Sequence, residues 1–535
     1  MKKPLALLIL DGWGLAPPGP GNALALAKTP NFNRLWAGFP HTQLLASGEA
    51  VGLPRGEDGN SETGHLNLGA GQIVFQDLPR INMSIADGIF YKIPAFKQVA
   101  DHVRKNKSCL HLLGLMGAGG VHSSLEHLFA LLNFAKKEEL AKVWLHLFTD
   151  GRDSPPTSAA VYIGKIQETI KKDGVGKIAT LIGRYFAMDR DYHWERTQKA
   201  YDLLTLGKGT VSDSFSEVIK RSYREGKTDE FLEPILLDKN GLIADNDGII
   251  FFNFRIDRPR QLTKALVCPD FETMVIKKIF DPYAEKYGLK QYQVPDLTTT
   301  FQREKILKNL FFVTMTQYEK GLPVAVAFPP EPVKLPLARI LAEKNIRQLH
   351  LAETEKERFV TYYFNGQREK IFAGEERVEI PSPNVPTYDQ KPEMSAPQLT
   401  GELIKRLRAD DYGFVIANYA NPDMVGHTGV LSAGIKACET VDQCLGRVVA
   451  AVVDAGGTLV VTADHGNIEE MINLQTGQVD TEHSSNPVPF IVADQNIGRQ
   501  GQTLSRGILA DVAPTILNLM NIEKPELMTG RNLLV

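Results

Sequence analysis

A chain of 535 residues is too long for one hydrophobic core, and its 43% hydrophobic and 23% charged residues are ordinary for a folded protein. A formal net charge of −3 excludes a global attraction to nucleic acid or to an anionic membrane, although it leaves room for a local basic pocket. Four cysteines (Cys109, Cys268, Cys438 and Cys444) with no CxxC pair argue against a disulfide framework or a thiolate zinc site, and fit a reducing compartment.

The first element is the apolar run Leu5–Leu10 behind Met1-Lys2-Lys3. It imitates a signal peptide but is shorter than the roughly 7–15 apolar residues of a signal core and stops at Asp11. No run approaches the ~20 residues of a membrane-spanning helix. A buried strand in a cytoplasmic protein is expected, with neither membrane nor nucleic acid as partner. Further strands are predicted at Leu110–Leu115, Val143–Phe148, Ile178–Ile182, Gly248–Phe252, Phe414–Asn418 and Thr458–Thr462. Each leads into a polar cluster containing, in order, Asp11, His122, Arg152-Asp153, Arg184, Arg255, Asp423 and Asp464-His465. Between them lie amphipathic stretches such as 435–455, where Ile435, Val441, Leu445, Val448 and Val452 fall near helical spacing and Gly456-Gly457 stops the helix. Strands alternating with helices imply a mainly parallel α/β sheet, and ligands of such sheets gather at the carboxyl ends of the strands.

The clusters sort by chemistry. Metal-type residues occur at Asp11 and again from Asp423 to His483, while arginines concentrate at Arg152, Arg184, Arg190, Arg255 and Arg258. Two domains are expected, one formed by both chain ends (1–76 and 329–535) and a second α/β domain, 77–328, inserted between them. Asp11, Asp423, His427, Asp464, His465 and His483 supply three carboxylates and three imidazoles, a mixed set that suits Mn²⁺, Zn²⁺ or Co²⁺ better than Ca²⁺. Each alone has a plainer reading, as a helix cap or a hydrogen-bonded polar residue. Ser61, in Gly59-Asn60-Ser61-Glu62-Thr63-Gly64-His65, is a candidate nucleophile that a metal could activate, or simply a capping serine.

The motifs LLILDGWG, GNSETGHLNLGAG, GRYFAMDRD, FNFRIDRPRQ, NYANPDMVGHTG, TADHGN and HSSNPVPFI together resemble the cofactor-independent phosphoglycerate mutases of the alkaline-phosphatase-like superfamily. The resemblance runs from Lys3 almost to the C-terminus. TADHGN is shared across the superfamily, whereas GNSETGH with GRYFAMDRD and FNFRIDRPR is specific to the mutases. It implies an alkaline-phosphatase-like three-layer domain with an inserted phosphotransferase domain, and interconversion of 3- and 2-phosphoglycerate through a phosphoserine on Ser61. It also implies two divalent ions, Mn²⁺ in many bacterial members, one held by Asp423, His427 and His483 and the other by Asp11, Ser61, Asp464 and His465. His122, Arg152, Asp153, Arg184, Arg190, Arg255, Arg258 and Lys356 are expected around the substrate. Lys356 would stabilise charge in the transition state, and Asp153 would serve as base and acid, or else as a salt-bridge partner of the arginines. A monomer is expected.

Three departures from the family pattern stand out. Gly117-Ala118-Gly119-Gly120-Val121-His122-Ser123-Ser124 replaces the usual Ser-Asp-Gly-Gly-Val-His-Ser-His. Thr63 replaces a valine, and the stretch from Pro269 to Asn309 is longer than usual. A phosphatase or sugar-phosphate mutase of the superfamily would share the metal ligands but not GRYFAMDRD. A non-catalytic relative would lack a ligand or the nucleophile, and none is missing.

Overall fold

The computed structural model describes residues 4–277, 297–409, 412–453, 456–473, 476–497 and 502–535. Residues 1–3, part of the resemblance to a signal peptide, and 278–296, within the long stretch Pro269 to Asn309, lie outside the described residues. The chain forms two compact units, one of Met1–Gln76 with Glu331–Val535 and the other of Asp77–Pro330.

The first unit is built on an eight-stranded sheet. Its strands lie in the order Glu375–Ile380, Gln348–Glu353, Phe414–Tyr419, Leu5–Leu10, Thr458–Thr462, Val488–Ala493, His41–Leu45 and Gly507–Ile508. The first five are mutually parallel, and Val488–Ala493 runs antiparallel to both its neighbours. Leu5–Leu10 is buried at every residue, as a central parallel strand covered on both faces must be. The helix Leu431–Val452 buries Val441, Leu445, Val448 and Val452 along one stripe, and Gly457 N–H closes it on Val452 O at 2.8 Å.

The second unit carries another eight-stranded sheet, in the order Ala325–Phe328, Phe311–Thr316, Gly248–Phe251, Leu110–Met116, Val143–Thr149, Lys177–Gly183, Ile235–Leu236 and Thr210–Val211. Only the pairing of Lys177–Gly183 with Ile235–Leu236 is antiparallel. Alternate residues feed two separate cores. Leu112, Leu145, Leu147 and Ile250 join one, and Leu113, Phe148, Ile249 and Phe251 join the other. An apolar layer on each face of a mostly parallel sheet is the α/β arrangement expected from the sequence. Among the described residues no helix is long and apolar enough to cross a membrane.

One buried acid gives the first unit a pH-dependent stability. Glu353 ends the strand Gln348–Glu353, is shut off from solvent, and accepts the N–H of Ser395 at 3.0 Å. Burial first, with the neighbouring Glu355 charge adding to it, pushes its carboxyl up to about 7. The folded state therefore binds the proton more tightly than the unfolded chain, so the contribution of Glu353 to stability is fully present below pH 4.5 and is lost as pH rises through about 7. Glu353→Gln is expected to raise the thermal midpoint at pH 8 by the equivalent of about 2–3 kcal/mol, with little change at pH 4.5. Calorimetry at the two pH values checks this, and an equal shift at both would contradict it.

Candidate active site

Asp11 follows Leu5–Leu10 directly, and its N–H donates to Tyr419 O on the neighbouring strand at 3.1 Å. Gly12 turns the chain with φ +73°, and a Cβ there would stand 2.8 Å from Asp423 Cα, so glycine is what lets the loop carrying Asp423 approach. Ser61 opens the helix Ser61–Ala70, whose cap is Asn60 Oδ1 accepting from Thr63 N–H at 3.0 Å. Thr63 adds a second bond to that cap, Oγ1 to Asn60 Oδ1 at 3.1 Å, which gives the hydroxyl a use that valine lacks. A Cβ on Gly64 would lie 2.5 Å from Asp464 O, so this helix can lean on the Asp464 turn only with glycine there.

These elements bring Asp11, Ser61, Lys356, Asp423, His427, Asp464, His465 and His483 into one group. Lys356 Nζ donates to Asp11 Oδ1, Asp423 Oδ2 and Ser61 Oγ, each at 2.7 Å. His465 Nε2 lies 2.9 Å from Ser61 Oγ. Asp423 Oδ1 has His427 Nε2 at 3.2 Å and His483 Nε2 at 3.3 Å. Burial acts most strongly on these carboxyls. At Asp11 it wins, with the Asp464 charge adding to it, and the carboxyl is raised. At Asp423 burial is overcome by the Lys356 ammonium and the two histidines, which hold the carboxyl well below its usual range.

The donor set suits divalent cations. Three buried carboxylates face a single ammonium, which leaves negative charge uncompensated. Asp464 Oδ2 is buried with His65 Nδ1 at 3.2 Å and His465 Nε2 at 3.4 Å, and makes no well-aligned hydrogen bond among the described residues. The Nδ1 atoms of His427, His465 and His483 lie 2.7, 3.1 and 2.8 Å from the carbonyls of Thr481, Gly466 and Gly59. A carbonyl only accepts, so each Nδ1 carries a proton, and each ring when neutral would present its Nε2 lone pair to a bound cation. His427 Nε2 and His483 Nε2 lie 3.1 Å apart beside Asp423, and although burial disfavours charge on His427, the hydrogen bond and charge of Asp423 outweigh it and raise the ring to about 8, so a proton occupies the place a metal cation would take.

The predicted residues of the second unit form another group, at the carboxyl ends of adjacent strands. Buried Arg184 donates to Asp150 Oδ1 at 2.6 Å and to Asp153 Oδ2 at 2.5 Å. His122 Nε2 stands 3.8 Å from Asp153 and Nδ1 3.7 Å from Asp257, while Arg190 donates to Asp257 at 2.8 Å. Arg258 donates to Met188 O, Arg255 Nε is 3.5 Å from Asp257, and Arg152 lies 3.7 Å from Glu230. Burial raises the Asp153 carboxyl, but the hydrogen bond and charge of Arg184, with His122 and Arg152, outweigh it and hold the group below its ordinary range. Burial and then the Arg184 charge push His122 down to about 4. A Cβ on Gly117 would stand 2.5 Å from Ser154 Oγ and 2.8 Å from Asp150 Oδ2, so a side chain there would displace these groups, and Ser124 caps the helix Leu125–Lys137.

Residues 81–320 match the family model described as the BPG-independent PGAM N-terminus, and residues 292–522 match the sulfatase model. Over 540 residues the chain is 50% identical to the 2,3-bisphosphoglycerate-independent phosphoglycerate mutase of Chloroflexus aggregans, covering 100% of this chain and 99% of that one. The chain belongs to the 2,3-bisphosphoglycerate-independent phosphoglycerate mutases. The relative from Moorella thermoacetica is 47% identical over 539 residues, again across 100% of this chain and 99% of its own. A crystal structure of Leishmania mexicana phosphoglycerate mutase at low cobalt concentration is 28% identical, with a TM-score of 0.59 and coverage of 100% of this chain and 98% of that one.

Sequence reasoning about this mutase missed the residues that hold others in place. His65 groups with Asp11 and Asp464, but its Nδ1 is bound to Ser61 O and its Nε2 to Asn418 Nδ2, both at 2.9 Å. Asn418 also donates to Asp11 Oδ2 at 2.6 Å. The available signal for His65 was its position one helical turn after Ser61. Two further clusters of metal-type residues, Cys109-His111-Asp247 and Asp189-Asp191-His193, lie in the second unit. In each, one aspartate is taken up by local donors. Asp247 receives the N–H groups of Cys109 and Ala244, and Asp189 those of Asp191 and His193.

Proposed function

We propose that this mutase interconverts 3-phosphoglycerate and 2-phosphoglycerate by passing the phosphoryl group through Ser61. The observation that carries the reading is Ser61 Oγ at a helix N-terminus, 2.7 Å from Lys356 Nζ and 2.9 Å from His465 Nε2. The Ser61 hydroxyl gives up its proton to solvent water, which leaves the His465 Nε2 lone pair free to act as a ligand, and the oxygen then attacks phosphorus as the bond to the glycerate 3-oxygen breaks. Lys356 faces the charge that develops, and the free N–H groups of the first helical turn suit phosphoryl oxygens. The released oxygen takes a proton, and reoriented glycerate attacks phosphoserine through its 2-hydroxyl after losing one. Guanidinium groups at Arg152, Arg184, Arg190, Arg255 and Arg258 match the carboxylate and phosphate of the substrate. Asp153 stays ionised at neutral pH under the hold of Arg184, which makes it an acceptor for a glycerate hydroxyl proton and limits its strength as a base.

Asp423, His427 and His483 would hold one divalent ion, and Asp11, Ser61, Asp464 and His465 another, Mn²⁺ in our reading. When bound, such ions supply Lewis acidity, favouring the serine alkoxide and neutralising phosphoryl charge. A monomer in the cytoplasm completes the proposal. The test is conversion of 3-phosphoglycerate by protein dialysed against a chelator, without 2,3-bisphosphoglycerate. Activity should be lost and return with Mn²⁺. Activity that ignores chelation, needs the bisphosphate, or yields mainly free phosphate would overturn the reading.

A further inference from the structure

Two buried polar atoms of the second unit face each other across an unmade hydrogen bond. His122 Nδ1 and Asp257 Oδ1 are both shielded from solvent and stand 3.7 Å apart; among the described residues neither makes a hydrogen bond, although Arg255 Nε lies 3.5 Å from the same Asp257 oxygen. An unmet buried donor or acceptor costs roughly 1–3 kcal/mol, which an approach of under about an ångström would relieve. The backbones are already joined, because His122 O accepts the N–H of Phe254 at 2.8 Å and of Arg255 at 3.3 Å. That fixes His122 against the loop that carries Asp257. The other oxygen of Asp257 is anchored by Arg190 at 2.8 Å, so its carboxylate cannot turn away freely. The charged groups facing the ring are Asp257, Asp153, Arg184 and Arg255.

An ionised carboxylate only accepts, so pairing with Asp257 requires the His122 proton on Nδ1 and leaves the Nε2 lone pair toward Asp153. We propose that Asp257 is a positioning residue of the phosphoglycerate site, fixing the Nδ1–H tautomer and ring orientation of His122 and tying Arg190 and Arg255 to it. This inference rests on the proposed function only in assigning the group to phosphoglycerate. The pairing itself is independent of substrate.

The test is nitrogen-15 long-range correlation spectroscopy of histidine-labelled full-length protein, with the His122 signals identified by their loss in His122→Gln. The Nδ1–H tautomer is expected at pH 7, retained in Asp257→Asn, which still offers an acceptor oxygen, and lost in Asp257→Ala. The alanine variant is also expected to lose about ten- to a hundred-fold in kcat/KM, and to add little to the loss in His122→Gln. An Nε2–H tautomer in the unmodified protein, or an unchanged His122 spectrum in Asp257→Ala, would overturn the proposal. If the tautomer behaves as expected but the protein does not isomerise phosphoglycerate, the pairing stands and the proposed function fails.

Discussion

Ser61→Ala is expected to abolish isomerisation, by roughly 10⁴-fold or more, while leaving the thermal midpoint almost unchanged. The fold does not depend on the hydroxyl. Ser61 is the first residue of its helix, where alanine is well tolerated, and the cap is supplied by Asn60. Lys356 would keep Asp11 and Asp423 as partners at 2.7 Å each, so the loss is on the order of one net hydrogen bond, ~1 kcal/mol. The reaction, by contrast, has no other hydroxyl in that group to accept the phosphoryl group. Steady-state turnover measured beside a thermal melt separates the two effects, and appreciable turnover in a folded Ser61→Ala protein would refute the phosphoserine route.

Lys356→Met should have the second largest effect, and it acts on both stability and rate. The ammonium is buried, and its attraction to Asp11 and Asp423 more than offsets burial and keeps it charged throughout the ordinary pH range. Without it Asp11, Asp423 and Asp464 share a dry site with no fixed cation, a defect of roughly 3–5 kcal/mol in chelator-treated protein. The destabilisation should shrink at acid pH, where Asp11, already raised by burial, takes a proton. With Mn²⁺ restored, stability should largely recover while turnover stays down by about 10²–10³-fold, because charge on the transferring group has lost a fixed donor. Full turnover in the Mn²⁺-loaded variant would reduce Lys356 to a counter-ion.

The central parallel strands, though not Phe311–Thr316, Ala325–Phe328 or Glu375–Ile380, were legible because burial on both faces leaves near-continuous apolar runs, as in LALLIL and TLVVT, each ending where a polar loop begins. The strand Gln348–Glu353 was not, although it is buried throughout. Its apolar pattern is broken by Gln348, His350 and Glu353, whose polar atoms are satisfied inside the fold. Gln348 donates to Ala338 O at 2.7 Å, and His350 Nδ1 lies 2.6 Å from Val360 O. Short edge strands such as Thr210–Val211 carry too few residues for any period to register.

In the site, Asp11, His122, Arg152, Asp153, Arg184, Arg255, Asp423, Asp464 and His465 carried local signals at strand ends, Lys356 came only from the family resemblance, and the residues that hold them in place carried no such signal. Asp150 and Asp257 sit among arginines, where an aspartate reads as a counter-ion, and Asn418 is the last polar residue of an apolar strand. Their roles exist only through partners distant in sequence. Asn418 meets Asp11 across 407 residues, and Asp257 meets Arg190 across 67.

The central claim is that the phosphoryl group resides on Ser61 between the two halves of the reaction. Protein turning over 3-phosphoglycerate with Mn²⁺, quenched in acid within a few milliseconds and digested, should yield a peptide containing Ser61 that carries one phosphoryl group. The same peptide should appear when the reaction starts from 2-phosphoglycerate. Unmodified Ser61 throughout rapid turnover, or a phosphoryl group on another residue, would contradict the account.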